Sequence, residues 1–285
     1  MTIAVTGGNG EFGNAVLEAL IIKTDEPIVA TVRDQGQTHP LAGVEYRPGD
    51  FDQPDVFLGS LAGVDTLLIN ATFFGADPSR RLPRVSAAIQ ASADAGVDQV
   101  VLTSWPDLEH ATLPAVQDYR QLEALVERVR PGATVLRLGY GLADAIARDI
   151  MWGQAEGELV APAAGARVTP AAVSDLAEAA ATTLTQGGHE AQTYELTGPD
   201  TVTWTDLAAL AQVAFREVNN TEYRDYLNHK QLPEAAADQL IELYTDFRGP
   251  WASAPTPTLE QLIGHPPVPG IEAIRRRVTR SQEAS

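Results

Sequence analysis

Over the first 140 residues, short apolar runs alternate with longer stretches in which apolar residues recur every three or four positions. The runs Ile3–Thr6, Ile28–Val32, Val44–Arg47, Thr66–Asn70, Gln99–Thr103 and Thr134–Leu138 predict strands. Several are rich in Val, Ile and Leu at consecutive positions, as strands covered on both faces should be. The stretches Phe12–Lys23, Arg80–Ala95 and Ala115–Arg130 predict amphipathic helices. Gly96 and Arg130-Pro131-Gly132 mark where two of them stop. This alternation predicts an α/β fold, a doubly wound parallel sheet with helices on both faces.

The texture changes after Gly139. Residues 139–169 read as loop-rich, with small residues and exposed aromatics. Ser174 is the expected N-cap of a helix running through Leu184, and Thr193–Leu196 predicts one more strand. From Trp204 onward the pattern is helical but broken by Pro233, Pro250, Pro255, Pro257 and Pro266-Pro267. The expected division is therefore a nucleotide-binding domain of residues 1–138 and 170–196. A small, mostly helical substrate domain or lid comprises 139–169 and 197–285. Arg275-Arg276-Arg277 is expected on the solvated face of a terminal helix.

Composition narrows the partners. The chain has 285 residues with 38 acids against 20 bases, a net charge of −18, which disfavours nucleic acid and anionic membrane surfaces. It has no cysteine, which excludes disulfides, thiolate metal sites and cysteine nucleophiles. His39, His110, His189, His229 and His265 lack metal-ligand spacing, so no metal is expected. With no basic leader and no apolar run of membrane-spanning length, the expectation is a cytoplasmic protein, a monomer or homodimer.

Residues 6–13, TGGNGEFG, place Gly7, Gly10 and Gly13 between the first strand and the first helix. Such a turn lets backbone approach a pyrophosphate, and the helix N-terminus presents free N–H groups to it. The fold is thus expected to be Rossmann-type, with Gly7, Asn9, Gly10, Glu11, Phe12 and Gly13 holding a dinucleotide. Glu11 must point outward, since a carboxylate beside the pyrophosphate is unfavourable. At the end of the second strand, TVRD puts Arg33 where an arginine accommodates a ribose 2′-phosphate. The cofactor is expected to be NADPH, with NADH as the alternative, and Asp34 is placed to offset Arg33 or to pair with it.

TGGNGEFG, TVRD, RPGDFDQP at 47–54, DAGVDQVVLTS at 94–104 and TVLRLGY at 134–140 together resemble the NmrA-like atypical short-chain dehydrogenases/reductases. TPAAVSDLAEAAATTL, YELTGPDTVTWTDLA and LEQLIGHPP are similar to the NAD(P)H:quinone oxidoreductase type 2 branch, so the likeness spans nearly the whole chain. It implies a cleft between a Rossmann domain and a small C-terminal domain. It further implies that Asp50 and Phe51 flank the adenine, that Ala71, Thr72 and Phe73 line the ribose and nicotinamide, and that Thr103 and Ser104 stand near the hydride.

The superfamily's usual Tyr-x-x-x-Lys pair, in which lysine lowers the phenol's pKa, is missing. Its helix reads DYRQLEALVER, so Tyr119 is followed by Glu123, and a carboxylate there would raise the phenol's pKa. The Tyr226–Lys230 pair lies in the C-terminal helical part and reads as coincidence. Ser104 is the remaining catalytic candidate, as proton donor or oxyanion partner, with helix capping as the bland reading. Phe73, Phe74, Trp105, Tyr140 and Trp152 follow strand ends or fall in the loop-rich segment. With Ser104 and Tyr119 they suggest a pocket for a flat aromatic substrate. The expected function is NAD(P)H-dependent hydride transfer to a conjugated carbonyl. The foremost expectation is a ketone of a polycyclic aromatic polyketide in antibiotic biosynthesis, such as an angucyclinone, because reductases of such ketones that resemble this family also lack the tyrosine–lysine pair. A quinone is the alternative acceptor, and a non-catalytic redox sensor is the alternative class.

Overall fold

The computed structural model describes residues 1–34, 36, 40–71, 78–139, 142–163, 165–251 and 253–283. In chain order the first half runs β1 (Ile3–Thr6), α1 (Glu11–Lys23), β2 (Ile28–Val32), β3 (Val44–Pro48), α2 (Pro54–Ser60), β4 (Thr66–Ile69), α3 (Arg81–Asp94), β5 (Gln99–Ser104), α4 (Pro114–Val129) and β6 (Thr134–Leu138). It continues through α5 (Leu142–Glu156), β7 (Glu158–Ala161), β8 (Arg167–Val168), α6 (Val173–Thr185) and β9 (Thr193–Leu196). The remainder is β10 (Val202–Thr203), α7 (Trp204–Ala211), β11 (Ala214–Glu217), α8 (Asn220–His229), α9 (Glu234–Phe247), α10 (Thr258–Ile263) and α11 (Gly270–Glu283).

Seven strands pair in parallel in the order β3-β2-β1-β4-β5-β6-β9, the doubly wound sheet expected from the sequence. The chain leaves β1 toward β2 on one side and crosses back to β4 on the other. The crevice above the carboxyl ends of β1 and β4 is therefore where such a sheet binds ligands. Side chains alternate between two cores. Ala4, Leu67, Ile69, Val100 and Leu102 face α3, α4 and much of the C-terminal region, whereas Ile3, Val5, Leu68 and Val101 face α1, α6 and α10. The buried Ala177, Ala180 and Ala181 let α6 lie close along α1, and Leu259 and Ile263 of α10 join that same layer. No helix among the described residues is long and apolar enough to cross a membrane.

Two expectations change. The segment 139–169 is not mainly loop: it contains α5 and β7, and β7 pairs in parallel with β11. Its many small residues are alanines, which favour helix, and their low hydrophobic contrast hides the period. The helix α6 begins at Val173 with Ala172 as N-cap, and the Ser174 hydroxyl donates to Asp175 instead of capping.

One buried carboxyl gives α5 a pH dependence. Asp149 is buried, accepts from Arg148 at 3.2 Å and lies 3.5 Å from the Trp204 indole nitrogen. Burial outweighs the Arg148 guanidinium and pushes its carboxyl from 3.8 up to about 6. A carboxyl raised on folding favours the native state while protonated, and that contribution is lost as pH rises through about 6. At about 1.4 kcal/mol per pH unit the loss is of the order of 3 kcal/mol. Asp149→Asn should match the wild type in stability near pH 4, exceed it progressively as pH rises to about 6, and keep a constant advantage above that. Urea unfolding of both proteins across this range checks it, and a stability difference independent of pH would contradict it.

Candidate dinucleotide site

The glycine turn is built by backbone contacts that side chains would obstruct. Gly7 adopts φ +68° and donates to the Thr31 carbonyl, as does Gly8, which ties the turn to β2. Gly10 is the N-cap of α1 and no side chain caps the helix, the arrangement by which a helix start receives an anion. A Cβ on Gly13 would stand 2.3 Å from the Gly7 carbonyl oxygen, and one on Gly8 would stand 2.9 Å from the Ala30 Cβ. Gly10 has more room, 3.2 Å from the same oxygen. An uncapped helix start behind a crest of bare backbone fits a pyrophosphate. Gly8, outside the spaced triplet, is as constrained by space as its neighbours.

The other turn residues divide by role. Phe12 is buried in the core beneath α1, so only its backbone is left for a cofactor. The Asn9 amide donates to the Asp34 carbonyl at 3.1 Å and links the turn to the end of β2. Glu11 does point away, and to a definite place. Its carboxylate accepts from Arg277 at 2.5 Å and from Arg280 at 2.8 Å, both on α11. The basic run is thus only partly a solvated face: Arg275 and Arg276 pair with Glu272, but Arg277 turns inward.

At the adenine end, Arg33 is exposed just past β2 and makes no hydrogen bond or ion pair among the described residues. The Asp34 carboxylate accepts from the Gly36 amide at 2.8 Å and closes its own loop, so it does not pair with Arg33. Asp50 accepts from the Asp52 amide, and Phe51 packs edge-on against Phe57 at 5.0 Å. Arg80 and Arg84 both hold Asp52, anchoring this loop to α3.

Above β4 and β5 the strand ends are cross-tied. The Asn70 amide donates to the Thr6 hydroxyl at 2.8 Å, and the Ala71 amide donates to the Thr103 hydroxyl at 2.7 Å. Ser104 is buried and its hydroxyl donates to Glu123 at 2.5 Å. Glu123 in turn accepts two hydrogen bonds from Arg137, which also donates to Glu195. The carboxylate in the usual lysine position is therefore a brace for β5 and β6. Tyr119 is sealed beneath Trp105, and its hydroxyl lies 3.4 Å from the Ala71 carbonyl. Its pKa is raised, but burial is the main cause and the nearby carboxylate is Asp118, not Glu123.

Thr72, Phe73, Phe74 and Tyr140 lie outside the described residues. Trp105 and Trp152 are not in ring contact with each other. They are the two ends of an aromatic run, Trp105–Trp251–Phe247–Trp204–Tyr244–Tyr223–Tyr226–Trp152, with centroids 5.2–6.0 Å apart. Trp152 sits between Arg148 and Lys230 in cation–π contact, on the α8 side of α5. Tyr226 and Lys230 both bind Glu156, and burial pushes the Tyr226 phenol up to about 12. Sequence reasoning missed Arg81, which is buried against Asp118 at 3.2 Å and over the Tyr119 ring at 5.2 Å. It also missed the Glu123–Arg137–Glu195 brace and the Arg277 and Arg280 contacts. A lone acid inside a phosphate-binding turn was the available signal for the last.

Residues 7–186 match the NAD(P)H-binding family. The chain is 27% identical to quinone oxidoreductase 2 of Escherichia coli (strain K12) over 273 residues, covering 93% of this chain and 94% of that protein. It is 27% identical to the NAD(P)H azoreductase of Xenophilus azovorans, covering 93% of each chain. The structure of Citrobacter sp. triphenylmethane reductase complexed with NADP(H) superposes with a TM-score of 0.88 at 27% identity, over 97% of this chain and 100% of that one.

The contact between Gly13 and Gly7 makes the site intolerant of a single methyl group. Gly13→Ala must displace the turn, because the obstructing atom is backbone. The variant should remain folded and lose about a hundredfold or more in NADPH affinity, a cost of roughly 2.8 kcal/mol. Calorimetric titration of the folded variant checks this, and near-normal affinity would refute the placement.

Proposed function

The chain belongs to the NAD(P)H-binding family, and we propose that it is an NADPH-dependent reductase delivering hydride to a flat, conjugated acceptor. The observation that carries this reading is that, among the described residues, no acid stands poised at the strand ends: the Tyr119 hydroxyl is sealed against Ala71, and the Ser104 hydroxyl is committed to Glu123. A substrate that spreads or internally protonates the developing negative charge suits such a site. Quinones have this property, and so does a ketone flanked by phenolic hydroxyls in a polycyclic aromatic polyketide. Relatives named for quinones and azo compounds support the wider class, and the acceptor of this chain is proposed within it.

Reduced nicotinamide supplies the hydride when bound. The chain's own residues position it. The turn Gly7–Gly13 and the uncapped start of α1 would hold the pyrophosphate, with Asp50 and Phe51 beside the adenine. Arg33, exposed and without a partner among the described residues, would take the 2′-phosphate by charge-assisted hydrogen bonds. Ala71 and Thr103, fixed to each other, would set the nicotinamide end, and Thr72 and Phe73 would complete it. Phe74, Trp105 and Tyr140 would face the acceptor. Segments 139–169 and 197–285 would close the acceptor side, with the proton coming from water or from the acceptor's own hydroxyl. We place the activity in the cytoplasm, where the reduced dinucleotide pool resides, in a monomer or homodimer.

Two measurements test the reading. Arg33→Ala should weaken NADPH by about ten- to a hundredfold, the worth of a charge-assisted hydrogen bond, and leave NADH nearly unchanged. Equal losses for both cofactors would overturn the NADPH preference. NADPH oxidation is then followed with a panel of quinones, azo and triarylmethane dyes and hydroxylated aryl ketones. Tyr119→Phe and Ser104→Ala should each keep turnover of the accepted substrate within about tenfold, whereas loss of a true general acid costs about 10²–10⁴-fold. A thousandfold loss in either, with NADPH still bound, would establish a protein acid. NADPH binding without oxidation by any acceptor would instead favour a sensor.

A further inference from the structure

The glycine turn carries its own adversary. Glu11 is the first residue of α1, whose start has no side-chain cap and would receive a pyrophosphate, and the molecule around it has a net charge of −18. A carboxylate favours the positive end of a helix and so competes with an anionic ligand for it. Here both carboxylate oxygens are occupied, Oε2 by Arg277 and Oε1 by Arg280, and the Glu11 side chain is only 19% exposed. The two arginines are three apart on one face of α11, more than 260 residues along the chain from Glu11.

The helix that brings them is firmly seated. The Gly270 amide donates to Asp200 at 2.7 Å and the Val268 amide to Asp175 at 2.6 Å, while Ile274 and Val278 are buried against the core. The same helix packs along α5, which follows β6 and the nicotinamide end of the cleft. Arg277 and Arg280 also line a cavity of about 1260 Å³ that begins at Gly8, Asn9 and Gly10, so their side chains border the turn itself.

We infer that Arg277 and Arg280 are positioning residues of the dinucleotide site, which they serve by clasping Glu11 clear of the phosphate-binding N–H groups. One carboxylate against two guanidinium groups changes the charge beside the turn from one net negative to one net positive. The C-terminal helix is thereby part of the cofactor site, although it lies outside the segment that matches the NAD(P)H-binding family. The inference rests on dinucleotide binding and is independent of the electron acceptor.

The test is NADPH affinity, measured by calorimetry on the wild type, on Arg277→Gln/Arg280→Gln, and on both with Glu11→Gln added. Thermal melting is recorded throughout. Removing the two guanidinium groups should weaken NADPH by about tenfold or more at low salt, and less as salt screens the exposed carboxylate. Adding Glu11→Gln should restore affinity to within about threefold of wild type, because the repelling charge has gone. Arg277→Lys/Arg280→Lys, which keeps the charge, should lose little. An unchanged affinity in Arg277→Gln/Arg280→Gln overturns the inference. So does a loss that Glu11→Gln fails to relieve, the result expected if α11 merely supports the fold. A wild-type chain that does not bind NADPH overturns the cofactor assignment together with the clasp. Binding by the wild type with no effect in the variants overturns the clasp alone.

Discussion

Gly13 crosses Gly7 so closely that no side chain fits between them, and the cofactor half of the structure is arranged around that crossing. It fixes the angle at which α1 leaves β1, and therefore where the first N–H groups of the helix point. The same helix must then lie flat on α6, which is possible because the facing positions of α6 are alanines. With α1 held from both ends, Phe12, Val16, Leu17 and Leu20 fill the layer beneath it. A turn whose purpose is to approach a ligand thus also seats one of the two cores.

Polar groups at the strand ends are spent on bracing. Thr6, Asn70, Ala71 and Thr103 tie β1, β4 and β5 together by main-chain donors and side-chain acceptors. Ser104, Glu123, Arg137 and Glu195 do the same for β5, β6 and β9. Strong, two-point Arg–carboxylate bonds suit this use because they fix direction as well as distance. A hydroxyl held in such a network is a poor proton donor to a passing substrate. On the proposed function, these hydroxyls serve positioning and not acid catalysis.

Aromatic packing helps join the C-terminal helices to the sheet. Trp251 is the pivot: its indole N–H donates to the Pro106 carbonyl at 2.9 Å, and its ring stacks between Trp105 and Phe247. Each ring pair contributes about 0.5–1.5 kcal/mol beyond the area it buries, so a run of them makes a stiff joint. Asp246, buried beside Phe247, accepts from the Thr112 amide and hydroxyl and pins the loop after β5 to α9.

The sequence by itself determined the parallel sheet, most strand limits, the glycine turn and the position of Arg33. Each is a local signal: apolar runs mark strands, and spaced glycines mark a turn that backbone alone must make. Local signals failed in 139–169, where alanine blurs the helical period of α5. They failed again for Glu123 of α4, whose partners Ser104 and Arg137 come from two strands, β5 and β6. The fate of Glu11 was decided furthest away, by arginines at the other end of the chain, and that of Trp152 by a helix some 70 residues on. Charge pairing and ring packing depend on distance in space, which the order of residues does not encode locally. Only the tertiary fold could decide which acid meets which base and which aromatic rings pack against one another.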